Sequence, residues 1–353
     1  MTIILAQTIY SIDTINCLRE KMKSNQSVND IGEQGLLKKL QPFCSKNIIG
    51  DDGAVLSVNS QEQLVVTTDV LVDGVHFSDQ TTPPETVGWR AAAANLSDLA
   101  AMGATPIGIT VGLSLPGELR VTWVEKLYQG LTDCLQRYKT PIVGGDICRS
   151  RVATISITAF GTVVPHRVIR RSSAQPGDAI LMTGTHGKSY KGLQLLLNPE
   201  LGKNLSQSEL NALIEAHQRP SPRLDVLPLL WEIMETTSVA GIDTSDGLAD
   251  GVLQICCMSG VGARLDRSQV ASPPNSLLWM SPEEALYWTL YGGEDFELVL
   301  CLPLELAEKL VNRLGNGAAI IGTITEEINV ILVDNQERHP PQQLTLSKGF
   351  QHF

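Results

Sequence analysis

The sequence lacks the marks of a secreted, membrane-spanning or nucleic-acid-binding chain. Its seven cysteines, Cys17, Cys44, Cys134, Cys148, Cys256, Cys257 and Cys301, are odd in number, scattered and without a CxxC pair. That pattern excludes a regular disulfide framework and a zinc ribbon, and it favours reduced thiols in a cytoplasmic protein. No apolar run approaches the roughly 18 residues that a membrane helix needs. The opening MTIILAQTIYSID has neither the basic start nor the longer apolar core of a signal peptide. Positive charge is scarce: 27 Lys and Arg against 38 Asp and Glu leave a net charge of -11. This argues against nucleic acid or an anionic membrane as a partner. No dinucleotide GxGxxG and no convincing Ser/His/Asp nucleophile arrangement occurs. GTHGKS, Gly184 to Ser189, tempts a P-loop assignment but fails, because Met182 stands where the Walker pattern requires glycine.

What remains is a globular composition with many aspartates. At 353 residues, 43% hydrophobic and 18% charged, the chain is long enough for two domains with cores of their own. Gly50 to His76 brings Asp51, Asp52, Asp69 and Asp73 close in sequence, with Thr67 and Thr68 just before the third. The apolar run Leu64 to Val66 reads as a strand, which predicts Asp69 at its end. Two unit charges about 4 Å apart repel by roughly 4 kcal/mol at an effective dielectric near 20, so a cation is expected. Oxygen ligands without cysteine point to magnesium or calcium. The alternative is a solvated loop, since Asp and Gly are ordinary turn residues. Asp51 and Asp73 are assigned to structural or supporting roles.

Further along, an Ala-rich helix is predicted over Thr86–Met102, with Asn95 and Asp98 on one face, then a strand over Ile107–Leu115 and a helix over Val121–Tyr138. A short strand, Pro141–Val143, runs into GGD, placing Asp146 at a strand end beside glycines that let the backbone approach a ligand. Val152–Val164 reads as a strand. The order strand, helix, strand, helix, strand, strand indicates an α+β or mixed α/β layer rather than a Rossmann alternation. The basic segment His166 to Asp178, carrying Arg167, Arg170 and Arg171, reads as an interdomain connection suited to phosphate oxygens or simply to solvent. Helices are predicted at 207–218 and 224–236, separated by the prolines of RPSPR. GIDTSDGLAD delivers Asp243 from a short strand, with Ser245 or Asp246 either capping the next helix or lying at an anion-binding helix start. GGEDFE, Gly292 to Glu297, repeats the pattern of glycine and acid at an element junction.

GDDGAV, TTDVLVDGVHF, NLSDLAAMGA, GGD, IDTSDGLADGVLQI, GGEDFEL and GFQHF, in that order, resemble the thiamine-monophosphate kinase family of the PurM-like ATP-binding superfamily. The likeness runs from about Gly32 to the C-terminus. It implies a two-domain PurM-like fold: an extension at 1–26, an N-terminal ATP- and metal-binding domain at 27–165 forming a dimer barrel in a homodimer, and a C-terminal α/β sandwich domain at 166–353. It implies ATP as co-substrate over several Mg2+ ions, and thiamine monophosphate as acceptor. By position Asp52, Thr67, Thr68, Asp69, Asp98, Asp146, Asp243 and Asp246 match the family's metal ligands. Tyr128, Gly145, Asp146, Arg171 and Ser245 match its nucleotide contacts, and His76, Glu294 and Phe350 its substrate contacts. Asp69, Asp98, Asp146 and Arg171 are the expected catalytic residues. The chain departs from the family at Gly53, at Ile147 and Cys148, and at Lys188, none of which removes a carboxylate assigned to metal. The related selenophosphate synthetases need a reactive cysteine with a lysine in a glycine-rich N-terminal segment, and no such pair precedes Gly50.

Overall fold

The computed structural model describes residues 26–44, 58–234, 238–270, 272–273, 276–315 and 317–345. Strand β1 (Gln63–Val72) is followed by helix α2 (Pro84–Ala101), β2 (Thr105–Leu115), α3 (Val121–Arg137), β3 (Ile142–Arg149) and β4 (Thr154–Val163); α1 (Val28–Leu40) precedes them. These strands form one sheet in the order β1-β4-β2-β3, antiparallel except for the β2/β3 pair. The alternation in β4 is complete: Ile155, Ile157, Ala159 and Val163 are buried, with polar residues and Phe160 between them on the other face. Period-two burial of this kind requires one covered and one open face. Helices α2 and α3 supply the cover, packing their apolar faces with these residues into one core.

Helix α2 is buried nearly all round, its alanines suiting a helix enclosed on every side, with a few polar residues, including Arg90, Asn95, Ser97 and Asp98, set between them. Two glycines let α2 and α3 approach closely. A Cβ at Gly88 would stand 1.9 Å from the Leu127 carbonyl oxygen, and one at Gly130 would stand 1.6 Å from that of Glu85. The far end of α2 leaves the first core, and Ala100 and Ala101 pack with Leu227, Leu230 and Leu300 of the second half of the chain.

That half holds β5 (Ala179–Met182), α4 (Lys188–Leu197), α5 (Gln207–Gln218), α6 (Val226–Ile233), β6 (Ala240–Asp243), α7 (Leu248–Ser259), β7 (Gly262–Asp266), α8 (Pro282–Tyr291), β8 (Leu298–Leu302), α9 (Leu304–Leu314), β9 (Ala319–Thr325), β10 (Val330–Val333) and β11 (Gln342–Gln343). Its sheet runs β11-β10-β7-β9-β5-β8-β6. The central strands β5 and β8 are buried along their whole length. Helices α7 and α8 cover one face, and α6 and α9 pack in a separate core on the other. The mixed α/β expectation therefore holds.

Two local expectations do not. Asp69 is not at a strand end: β1 continues three residues past it to Val72. Asp146 lies inside β3, which extends through GGD to Arg149. In both cases pairing with a neighbouring strand carries the extended backbone through polar residues that the apolar run alone could not recruit.

Candidate active site

Three aspartates from three elements converge where α2 passes between the sheets. On β1, Thr67 and Asp69 pair with Ala159 and Ile157 of β4, both buried beneath α2, so the two side chains share the helix-covered face. The Thr67 hydroxyl donates to Asp98 Oδ2 on α2. One residue earlier, Ser97 Oγ donates to Asp243 Oδ2 at 2.8 Å, and Ser245 Oγ donates to Asp243 Oδ1 at 3.3 Å. Consecutive helix residues differ by about 100° in direction, which lets Ser97 address the second sheet while Asp98 addresses the first.

The cluster is electrostatically crowded. Burial pushes the Asp69 carboxyl up to about 6, and the charges of Asp98 and Asp246 add to it. Burial, with Asp98 beside it, pushes Asp243 up to about 7. Asp98 is raised by burial, against the Thr67 hydrogen bond and the nearby Arg171 guanidinium. Arg171 is exposed at the rim and donates to Gln254, which donates in turn to Asp250. Each raised carboxyl signals unfavourable free energy in the ionised state that a divalent cation would relieve. Among the described residues no three His, Cys, Asp or Glu side chains stand close enough to hold one ion. An all-oxygen donor set presenting one or two carboxylates at a time fits magnesium, which completes its shell with water and phosphate oxygens rather than a protein cage.

A second network lies beside this one. Glu294 and Phe296 adopt positive φ, 66° and 51°, unusual for residues with side chains. The Glu294 carboxylate pairs with Arg90, a 3% exposed residue of α2. Arg90 Nη1 also donates to His217 Nε2 at 3.0 Å. Arginine only donates, so His217 carries its proton on Nδ1, which faces Ser189 Oγ at 3.2 Å and Glu294 Oε2 at 3.6 Å. Asp295, between the two positive-φ residues, accepts from the Gly187 and Ser189 amides at the start of α4. The helix N-terminus that a P-loop would offer to phosphate is thus already filled by this chain's own carboxylate. Burial pushes Asp295 up to about 7, against those two amide bonds.

The remaining expected residues are distributed as follows. Thr68 points to the open face of the first sheet, where its hydroxyl meets that of Thr158 at 2.9 Å, away from Thr67 and Asp69. Asp146 pairs in register with Gly112, whose row continues through Ser156 to Val70, so it too lies on the open face. Gly145 is needed for packing: a Cβ there would stand 2.2 Å from the Val111 carbonyl oxygen of β2. Tyr128 is 5% exposed, with its ring 5.6 Å from that of Phe43, which makes it a core side chain. His76 accepts the Val72 amide on Nδ1 at 3.1 Å, which fastens the turn after β1. The N-cap of α7 is Gly247, without a side-chain cap bond; Ser245 bonds Asp243 instead, and Asp246 is exposed. Asp51, Asp52 and Phe350 lie outside the described residues.

Comparison with known proteins places this geometry. Models of the AIR synthase related protein N-terminal and C-terminal domains match residues 50–163 and 175–335. The thiamine-monophosphate kinase of Synechococcus elongatus is 50% identical over 335 residues, covering 94% of this chain and 99% of that protein. The chain belongs to the thiamine-monophosphate kinase family. The crystal structure of that kinase from Stenotrophomonas maltophilia aligns with a TM-score of 0.72 at 31% identity, over 85% of this chain and 94% of that one. A structure described as AaThiL complexed with AMPPCP and TMP aligns with a TM-score of 0.68 at 30% identity, over 90% and 98% of the two chains. The two-sheet architecture is therefore the PurM-like fold of this family.

For this family member, sequence reasoning did not find Arg90, Ser97 or His217. Ser97 stands next to Asp98 in NLSD, and Arg90 is the lone cation in an Ala-rich helix; either singularity was a usable signal. His217 had none, because a histidine near a helix end is commonplace.

Proposed function

We propose that the protein transfers the γ-phosphoryl group of ATP to thiamine monophosphate, releasing ADP and thiamine diphosphate. The observation that carries this is the meeting of Asp69, Asp98 and Asp243 from β1, α2 and β6 in one crowded, all-oxygen cluster. Support comes from the relatives named for this kinase and from a similar structure described with an ATP analogue and TMP.

The acceptor is a phosphate monoester whose second pKa near 6 leaves it mostly ionised at neutral pH, so its oxygen needs no general base. That oxygen bonds to the γ-phosphorus as the bond to the bridging oxygen of ADP breaks, and the proton count does not change. The protein's task is positioning and charge neutralisation. Magnesium, when bound, offsets the negative charge of the two phosphates as they approach. Asp69, Asp98, Asp243 and Asp246, with Thr67 and Asp52, would hold several such ions, each ion meeting one or two of the carboxylates. Arg171 adds a fixed positive charge at the rim, Ser245 contacts the nucleotide, and His76, Glu294 and Phe350 hold the thiamine phosphate.

The same reading divides the chain near residue 165 and places the protein in the cytoplasm as a homodimer. The open face of the first sheet carries Leu64, Val66 and Val70, exposed by 51%, 52% and 45%. A second copy covering that face would complete a barrel. Asp146 and Thr68 face the same side, so their metal roles depend on that assembly; it does not reach Tyr128, a core side chain on the helix-covered side, which therefore stands as packing rather than as a nucleotide contact. Purified protein with ATP, magnesium and thiamine monophosphate should yield thiamine diphosphate and ADP in equal amounts. Absence of product there, with turnover of another superfamily substrate, would overturn the proposal.

A further inference from the structure

Glu294 is offered to its ligand by an anchored assembly. Its backbone amide donates to the Ser245 carbonyl at 2.7 Å and its φ is 66°, so the main chain is held in a conformation that side-chain-bearing residues rarely adopt. Its carboxylate is paired through Oε1 with Arg90, and Oε2 faces the Nδ1 edge of His217 at 3.6 Å. It remains 33% exposed, so one side is open to a ligand, whereas Arg90 and His217 are 3% and 2% exposed and reach none directly. The anchors come from different parts of the chain: Arg90 from α2, beneath the first sheet, and His217 from the last turn of α5.

We propose that Arg90 and His217 are positioning residues for substrate selection, fixing the Glu294 carboxylate in the one orientation that receives the thiamine moiety. The inference rests on the reading of Glu294 as a substrate contact. An unanchored glutamate distributes its carboxylate over several rotamers, and ordering it on binding would cost affinity. The Arg90 pair supplies that order in advance. The His217 ring extends it, because donation from Arg90 to Nε2 fixes the tautomer and turns the protonated Nδ1 toward Ser189 and Glu294. Burial pushes His217 down to about 3, so the ring stays neutral and this tautomer persists across the working pH range. The arrangement also explains why the lone cation of this Ala-rich helix is buried. A buried cation persists only where it is paired and hydrogen-bonded, and Arg90 has both kinds of partner.

The test is a double-mutant cycle read by steady-state kinetics on the full chain, with ATP, magnesium and thiamine monophosphate as the probes. Glu294→Gln should raise KM for thiamine monophosphate. Arg90→Met should raise it about ten-fold or more while leaving KM for ATP within about two-fold, and Arg90→Lys should recover part of the loss. Arg90→Met placed on Glu294→Gln should add less than about two-fold, because the group through which it acts is already impaired. Two results would overturn the positioning role alone: effects that multiply in the double variant, or an unchanged KM for thiamine monophosphate in Arg90→Met while Glu294→Gln raises it. An unchanged KM in Glu294→Gln would overturn the reading of Glu294 and the proposal with it. If Arg90→Met does not fold, His217→Gln carries the same cycle, with a raised KM for thiamine monophosphate that does not multiply with that of Glu294→Gln.

Discussion

Replacing His186 should flatten part of the protein's loss of stability in acid. His186 is fully buried, its Nδ1 meets the Gly184 carbonyl at 3.2 Å, and Nε2 is buried with no hydrogen-bond partner. Burial, with Lys188 and Arg223 nearby, pushes the imidazole from 6.5 down to about 4. The unfolded chain therefore binds a proton at a pH where the folded chain does not. The stability is present above pH 6.5 and is lost as pH falls toward 4. Between pH 8 and pH 5 the loss from this one residue is about 2 kcal/mol, from proton linkage at about 1.4 kcal/mol per pH unit. His186→Leu removes the titrating group. It also strips the Gly184 carbonyl of its partner, which costs about 1–3 kcal/mol at either pH and cancels when the two are compared. The raised carboxyls of Asp69 and Asp243 act in the opposite direction, but they are common to both proteins and cancel as well. Urea unfolding of each protein at pH 8 and pH 5, with metal chelated throughout, gives the difference of differences. A variant that loses as much stability as the parent between the two pH values would refute the reasoning.

Asp69→Ala and Asp98→Ala should each abolish formation of thiamine diphosphate while the circular dichroism spectrum stays that of the parent; near-normal turnover would remove the residue from the metal set. Asp295→Ala frees the Gly187 and Ser189 amides at the start of α4 and should lower stability by about 1–2 kcal/mol in chemical denaturation, the usual worth of a helix cap. If the proposed second copy covers the open sheet face, Val66→Asp should shift the protein to a single-chain mass in sedimentation, because a charge buried by that copy would be left unpaired. An unchanged dimer mass would place the interface elsewhere.

Much of the fold was legible because local patterns and tertiary packing agreed. The helix expected over Thr86–Met102 forms over Pro84–Ala101, and the helix at 207–218 is found at those bounds. The boundaries that failed, after Val66 and after Val143, are places where a strand continues because its neighbour pairs with it. Hydrophobic periodicity is blind to that partner. The site divides in the same way. Asp69 and Asp243 could be picked out as acids following apolar runs and Asp98 as an acid on a helix face, and the structure does gather them. The division of Thr67 from Thr68 onto opposite faces follows from a period of two, but which face holds α2 does not.

What the sequence by itself determined was the raw material of the site: aspartates at glycine-rich junctions, few histidines and an acidic chain that would need cations to meet phosphate. Those follow from residue identity and near spacing. Only the tertiary structure decided which carboxylates crowd one another, that Asp295 already occupies the start of α4, and that Glu294 is held by Arg90 from 204 residues away. The reason is physical. Charge repulsion, burial and hydrogen bonding depend on distances of a few ångströms, and across such separations in sequence those distances are set by how the two sheets close around α2.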